Sequence, residues 1–124
     1  MFLVLDTNII VSALINPAGK PAQIFRRCLS GEFHLCADER IFAEYETVLL
    51  RPKFKFDPKQ ISALLNILRL QCLIICAPTL DVSFTDLSDK KFYEVAKACN
   101  AVLVTGNIKH YPQDPIVKTV NDIV

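Results

Sequence analysis

The strand-like run Phe2-Leu3-Val4-Leu5 is followed by Asp6-Thr7-Asn8 and then by Ile9-Ile10-Val11-Ser12-Ala13-Leu14. A short, wholly apolar segment thus delivers one carboxylate, flanked by two small polar side chains, to the point where the chain turns into a helix. In open α/β sheets the carboxyl end of a strand is where ligands and catalytic groups gather. The same position suits a helix N-cap, because an aspartate oxygen accepts a backbone N–H left unpaired in the first helical turn. Locally, Asp6 satisfies both descriptions.

Three further stretches carry oxygen donors. Glu44 and Glu46 flank Tyr45 in Ile41-Phe42-Ala43-Glu44-Tyr45-Glu46-Thr47-Val48-Leu49. At about 100° per residue both lie near the edges of the face set by Ile41, Tyr45 and Val48, on opposite sides, so periodicity leaves the choice between them open. In Thr85-Asp86-Leu87-Ser88-Asp89-Lys90-Lys91-Phe92 an acidic cluster opens a helix, where the helix dipole favours it and Asp86 or Ser88 suits the cap. Asp89 projects toward the edge of the buried face that begins at Phe92, an odd place for a residue serving only solubility. Thr105-Gly106-Asn107 reads as a plain turn, with Gly106 allowing it to be tight and Asn107 offering a carbonyl oxygen. Taken singly, each stretch is explained by a cap, a solvated face or a turn. Taken together, they offer the oxygen ligands that Mg²⁺ or Mn²⁺ prefers, with water completing the shell. Such an ion polarises a phosphodiester and acidifies the attacking water, so no nucleophilic side chain is required.

The elements that must hold these groups alternate. Phe2–Leu5, Phe33–Ala37, Cys72–Ala77, Ala101–Thr105 and Ile116–Val120 are short apolar or β-branched runs bounded by turn formers, and are predicted as strands. Helical periodicity fills the gaps. One helix is marked by Ile24, Phe25, Cys28 and Leu29 and stops at Ser30-Gly31; the next is opened by Asp38 and closed before Pro52. A third starts after Asp57-Pro58, and a fourth carries Phe92, Val95, Ala96 and Cys99. Strands alternating with helices imply an α/β fold with a mostly parallel sheet covered on both faces. Residues 1–124 read as one domain, with the Pro17–Pro21 stretch a loop inside it.

A 52% hydrophobic content suits a sheet buried on both sides, and a net charge of +1 neither requires nor excludes a nucleic-acid partner. Five cysteines form no C-x-x-C pair and sit mostly among apolar neighbours, the pattern of a reduced, cytoplasmic chain using thiols as small hydrophobes. No signal peptide and no membrane-spanning run is evident.

Leu5-Asp6-Thr7-Asn8 with Ser12 one turn on, Ala43-Glu44-Tyr45-Glu46-Thr47-Val48-Leu49 followed by Arg51-Pro52-Lys53-Phe54, Asp86-x-x-Asp89-x-Lys91-Phe92, and Val104-Thr105-Gly106-Asn107 together resemble the PIN domain family, in a bacterial VapC-like branch of toxin–antitoxin toxin components. The four motifs occur in order from Leu3 to about Pro112. The resemblance implies a three-layer sandwich with a parallel five-stranded sheet of order 3-2-1-4-5, and a Mg²⁺- or Mn²⁺-dependent endoribonuclease. It implies Asp6, Glu44 and Asp89 as catalytic metal ligands, and it selects Glu44 over Glu46. Asn8, Ser12 and Thr105 would orient ligands or water. It also implies a small antitoxin partner and a homodimer. Where many relatives carry another Asp this chain has Asn107, which keeps an oxygen donor but drops one charge; Asp86 is the nearest compensating carboxylate, so one ion or two fit the sequence.

Arg51, Lys53 and Lys55 interleave with Pro52, Phe54 and Phe56, a pattern that suits RNA phosphates and bases and equally suits a solvated loop with its aromatics folded inward. Lys20, Arg26 and Arg27 would extend a basic rim, whereas His110 is not required as a general base. Two other functions compete. In a phosphohydrolase with Asp6 as covalent nucleophile, a second Asp is expected two positions on, where this chain has Asn8. A degenerate PIN-fold module that binds RNA or protein without cleaving is favoured by Asn107 and opposed by the retained Asp6, Glu44 and Asp89.

Overall fold

The computed structural model describes residues 1–124. Five strands, β1 (Phe2–Leu5), β2 (His34–Ala37), β3 (Cys72–Ile74), β4 (Val102–Val104) and β5 (Val117–Lys118), form one sheet in the order β3-β2-β1-β4-β5. All four pairings are parallel. The helices are α1 (Thr7–Ile15), α2 (Lys20–Leu29), α3 (Glu39–Leu49), α4 (Pro58–Leu70) and α5 (Lys90–Cys99), with short 3₁₀ turns between several of them. The α/β order and the strand order 3-2-1-4-5 are those expected from the sequence. No helix is long and apolar enough to cross a membrane.

β1 is central and pairs on both sides, so Leu3, Val4 and Leu5 are wholly buried. The chain leaves β1 toward β2 and returns to β1's other side only at β4, which makes the β1–β4 boundary a topological switch point. There the sheet's carboxyl ends open a crevice between diverging connections. Leu5 pairs with Val104, and the Asp6 N–H donates to the Val104 carbonyl at 3.0 Å. Asp6 and Thr105 therefore emerge side by side.

α3 is pinned against this boundary. Asp38 accepts from the Ile41 N–H at 3.0 Å, the expected N-cap. The Tyr45 ring is fully buried among Phe42 and Phe92, and its hydroxyl donates to the carbonyl of Leu5, the residue before Asp6. Arg40 bridges Asp38 and the buried Glu94 of α5, tying α3 to the helix that follows the Asp86–Asp89 cluster. Pro58 opens α4 in the first turn, where its missing N–H is harmless, and α2 stops at Ser30 before Gly31 with φ +82°.

Three differences from the predicted elements have local causes. β3 ends at Ile74 rather than Ala77, because its partner β2 ends at Ala37, where Asp38 begins to cap α3; Ile75 N–H to Ala37 O is the last ladder bond. β5 is confined to Val117–Lys118 by the turn bond from Val117 N–H to Asp114 O before it and by the Thr119–Asp122 capping box after it. Gly106 has no positive φ, and an added Cβ there would meet nothing within 4 Å, so the turn after β4 does not depend on glycine.

Candidate active site

A cleft of about 530 Å³ lies at the carboxyl ends of β1 and β4. Asp6, Thr7 and Asn8 line it from the start of α1, and Glu44, Thr47 and Arg51 from α3 and its exit. Asp86, Ser88 and Asp89 complete it from the turn before α5, with Asn107 and His110 from the segment after β4. Five of the lining side chains are ones that could hold a cation: Asp6, Glu44, Asp86, Asp89 and Asn107. None of the five cysteines lines this cleft.

Asp6 occupies the N-cap position of α1, yet its side chain makes no capping bond. It turns instead into the β1–β4 crevice, only 5% exposed, where Oδ2 accepts from Thr105 Oγ1 at 2.8 Å and from the Tyr111 hydroxyl at 3.1 Å. Thr105 Oγ1 in turn accepts from the Asn107 N–H at 3.0 Å, which orients its proton toward Asp6. Burial and the neighbouring carboxylates of Asp6 and Asp89 hold the Tyr111 phenol far above its usual range, so it stays a neutral donor. The contest between cap and site residue is thus decided at the side chain: Asp6 is spent on the crevice.

The helix edge separates the two glutamates. Glu44 enters the cleft, accepting from Thr7 Oγ1 on Oε2 and from Lys91 Nζ at 2.6 Å on Oε1. Glu46 is exposed on the other side and lines a groove between α3 and α4 with Arg69. Lys91 also donates to the Ser88 carbonyl, so one ammonium joins α3 to the turn Leu87–Asp89.

Asp89, at the N-cap of α5, likewise makes no capping bond. Its Oδ2 is buried without a hydrogen-bond partner, with His110 Nδ1 3.4 Å away. Burial raises its pKa, and the carboxylates of Asp6, Asp86 and Glu44 add to that rise against an opposing contribution from His110. Asp86 behaves differently. It is exposed, and Oδ1 accepts from the Ser88 N–H at 2.9 Å and Ser88 Oγ at 2.7 Å, bonds that lower its pKa and make it the cap of the turn Leu87–Asp89.

Of the remaining expected residues, Asn8 lines the cleft, Thr105 backs it, and Ser12 is exposed on α1 outside it. Arg51 lines the cleft, but Lys53 lies over the Phe54 ring and Lys55 borders a separate hollow with Leu14 and Phe56. Phe54 and Phe56 stack on each other and pack, half-buried, against the core. Lys20 bonds Asn121, Arg26 bonds the Pro17 carbonyl and Arg27 pairs with Glu32, all outside the cleft. Sequence reasoning missed Tyr111, whose distance of 105 residues from Asp6 leaves no local signal. It passed over Thr7 and Lys91 as site residues although both stand inside the quoted motifs.

No three acidic, cysteine or imidazole side chains converge closely enough to chelate an ion by themselves. The arrangement suits a hydrated hard cation: the donors are all oxygen, one buried carboxylate oxygen lacks a partner, and Mg²⁺ ordinarily uses one or two carboxylates and keeps several waters. Ser88 and His110 both line the cleft, but the Ser88 hydroxyl donates to Asp86 while His110 faces Asp89, so the pair is not set up as a nucleophile and its base.

The family model for the PIN domain matches residues 3–109. An uncharacterised protein of Methanocaldococcus jannaschii is 30% identical over 108 residues, covering 85% of this chain and 70% of that protein. The crystal structure of VapBC2 from Rickettsia felis, bound to a DNA fragment from their promoter, superposes with a TM-score of 0.60 at 20% identity. That match covers 96% of this chain and 97% of the other.

Proposed function

The chain belongs to the PIN domain family, and from that premise we propose that it is a Mg²⁺- or Mn²⁺-dependent endoribonuclease, the toxin of a toxin–antitoxin pair acting in the cytoplasm. The observation that carries this reading is the meeting of Asp6, Glu44 and Asp89, from three distant stretches, in one solvent-reached cleft at the switch point. The likeness to VapBC2 supports the antitoxin partner, and pairing as a homodimer follows from the family resemblance.

In this reading Asp6 and Asp89 hold the ion and Glu44 and Asn107 border it, while Asp86 at the mouth helps draw the cation in. When bound, the ion polarises the scissile phosphodiester and acidifies the attacking water. Thr105 and Tyr111 fix the Asp6 carboxylate through one oxygen, and Thr7 and Lys91 fix the Glu44 carboxylate at the cleft wall. Asn8 and Thr105 orient groups at the site's edge, and Ser12 extends the α1 surface beyond it. Arg51 meets an RNA phosphate at the rim, with Lys53 and Lys55 continuing the positive surface away from it.

The test is incubation of the purified protein with a mixed RNA pool in Mn²⁺ or in EDTA. Cleavage that requires the ion and is lost in Asp6→Asn, with an unchanged melting profile, is the expected result. Retained RNA or partner binding with no metal-dependent cleavage establishes the degenerate binding module instead.

A further inference from the structure

Lys91 is the one ammonium that bonds a carboxylate of the cleft. Its side chain is 14% exposed, its Nζ lies 5.1 Å from the ring centroid of the buried Phe92, and the same Nζ bonds Glu44 Oε1 at 2.6 Å and the Ser88 carbonyl. Thr7 takes the other Glu44 oxygen, so both oxygens of this carboxylate are engaged by the protein. A carboxylate so held is poorly placed to bridge two ions. The fourth position that would supply further negative charge is Asn107, which is neutral.

The charges of the cleft and of the lysine bonded to it then favour a single divalent ion. Asp6, Glu44 and Asp89 carry three negative charges, Lys91 returns one positive charge, and two remain. At the mouth, exposed Asp86 and Arg51 offset each other. One divalent cation neutralises the remainder; a second would leave an uncompensated excess of two positive charges beside a fixed ammonium, in a partly desolvated site where charges are weakly screened. We propose that Lys91, paired with Glu44, is a built-in cation that stands in for a second metal ion and limits this cleft to one divalent ion, while holding Glu44 against the turn that carries Asp89. This rests on the nuclease reading, since it concerns the ion that reading requires.

Lys91→Met retains an unbranched apolar side chain and removes the ammonium with its two hydrogen bonds and its contact with the Phe92 ring. Lys91→Arg retains the charge. Mn²⁺ alone is titrated into the wild type and both variants by calorimetry and equilibrium dialysis, with melting curves to verify folding. The Mn²⁺ electron paramagnetic resonance signal is recorded at saturation, where a closely spaced pair broadens the six-line pattern of an isolated ion. Expected are one Mn²⁺ per chain in the wild type and in Lys91→Arg, and two in Lys91→Met with the broadened signal. A purely structural role would change the melting point without changing the ratio. Two ions in the wild type, or one in a folded Lys91→Met, overturns the inference and leaves the nuclease reading intact. Absence of Mn²⁺ binding by all three chains overturns both.

Discussion

Tyr111→Phe removes one hydroxyl from the hydrogen-bond set of Asp6 and nothing else. The ring is 7% exposed and meets Phe84 edge-on at 5.9 Å, a contact phenylalanine reproduces. What is lost is a neutral donor 3.1 Å from a buried carboxylate oxygen, with Thr105 at 2.8 Å left as the sole remaining donor. Hydrogen bonds to charged groups contribute about 1.5–3 kcal/mol; the length here and the nearby cleft argue for the lower end, about 1.5 kcal/mol. For a chain of this size that lowers the melting midpoint by roughly 5–9 °C. The decisive assay is a double-mutant cycle with Asp6→Ala, followed by urea unfolding. If the hydroxyl acts through Asp6, Tyr111→Phe costs about 1.5 kcal/mol in the wild type and under about 0.5 kcal/mol once Asp6 is gone. Equal costs in both backgrounds refute the reasoning, because the tyrosine would then be stabilising something other than the carboxylate. RNA cleavage by the same variant is expected to fall about tenfold, the usual scale for losing a group that orients a metal-binding side chain.

Glu44→Gln is expected to lower metal-dependent RNA cleavage at least about a hundredfold, while Glu46→Gln leaves it within about twofold; single-turnover rates on one RNA compare them. Asp114 accepts from the Ile116 N–H, Lys97 and Tyr93, and its pKa is lowered to about 2. A carboxyl depressed in the folded state stabilises the fold above its unfolded value, and that contribution is lost as pH falls from about 4 toward 2. Asp114→Asn therefore lowers stability by about 1 kcal/mol at pH 7, allowing for solvent screening at this site, and the difference narrows through that window in melting curves taken at each pH.

The parallel sheet and the positions of its helices were legible because each element carries its own periodicity and punctuation, such as Asp38 before Ile41 or Pro58 after Asp57. Strand ends were less so. Ile75, Cys76 and Ala77 are as apolar as Cys72, Leu73 and Ile74, and only the exit of β2 into α3 decides that pairing stops. The site divides in the same way. Asp6, Glu44, Asp89 and Asn107 could be named because motifs keep their spacing, though periodicity alone did not separate Glu44 from Glu46. That separation depends on Tyr45 reaching the Leu5 carbonyl, a contact across 40 residues. Tyr111 was invisible for the same reason. The Arg51–Phe56 stretch shows the converse: its alternation of cations and aromatics suggested a binding surface, yet the aromatics satisfy the core and only Arg51 reaches the cleft.

Asp6 and Asp89 share a peculiarity that ties stability to chemistry. Both occupy helix N-cap positions, where aspartate normally contributes about 1 kcal/mol by accepting a first-turn N–H, and in both the side chain turns away. The chain caps well where only stability is at stake, as Asp38 and Asp57 demonstrate. At Asp89 the cost is compounded. Burial and the nearby Asp6 raise its carboxyl's pKa, so the folded state binds a proton more tightly than the unfolded chain. Its ionisation therefore opposes folding, and stability from this group falls as pH rises from the unfolded value near 3.8 through the higher folded one. This is opposite in sign to Asp114. Two foregone caps and one orphaned carboxylate oxygen belong to the same cleft, whereas Asp38, Asp57, Asp114 and Asp122 outside it are conventionally satisfied. Such a concentration of unfavourable choices is the pattern of a site held ready for positive charge, and a cation entering the cleft would offset the repulsion that the fold alone leaves uncompensated.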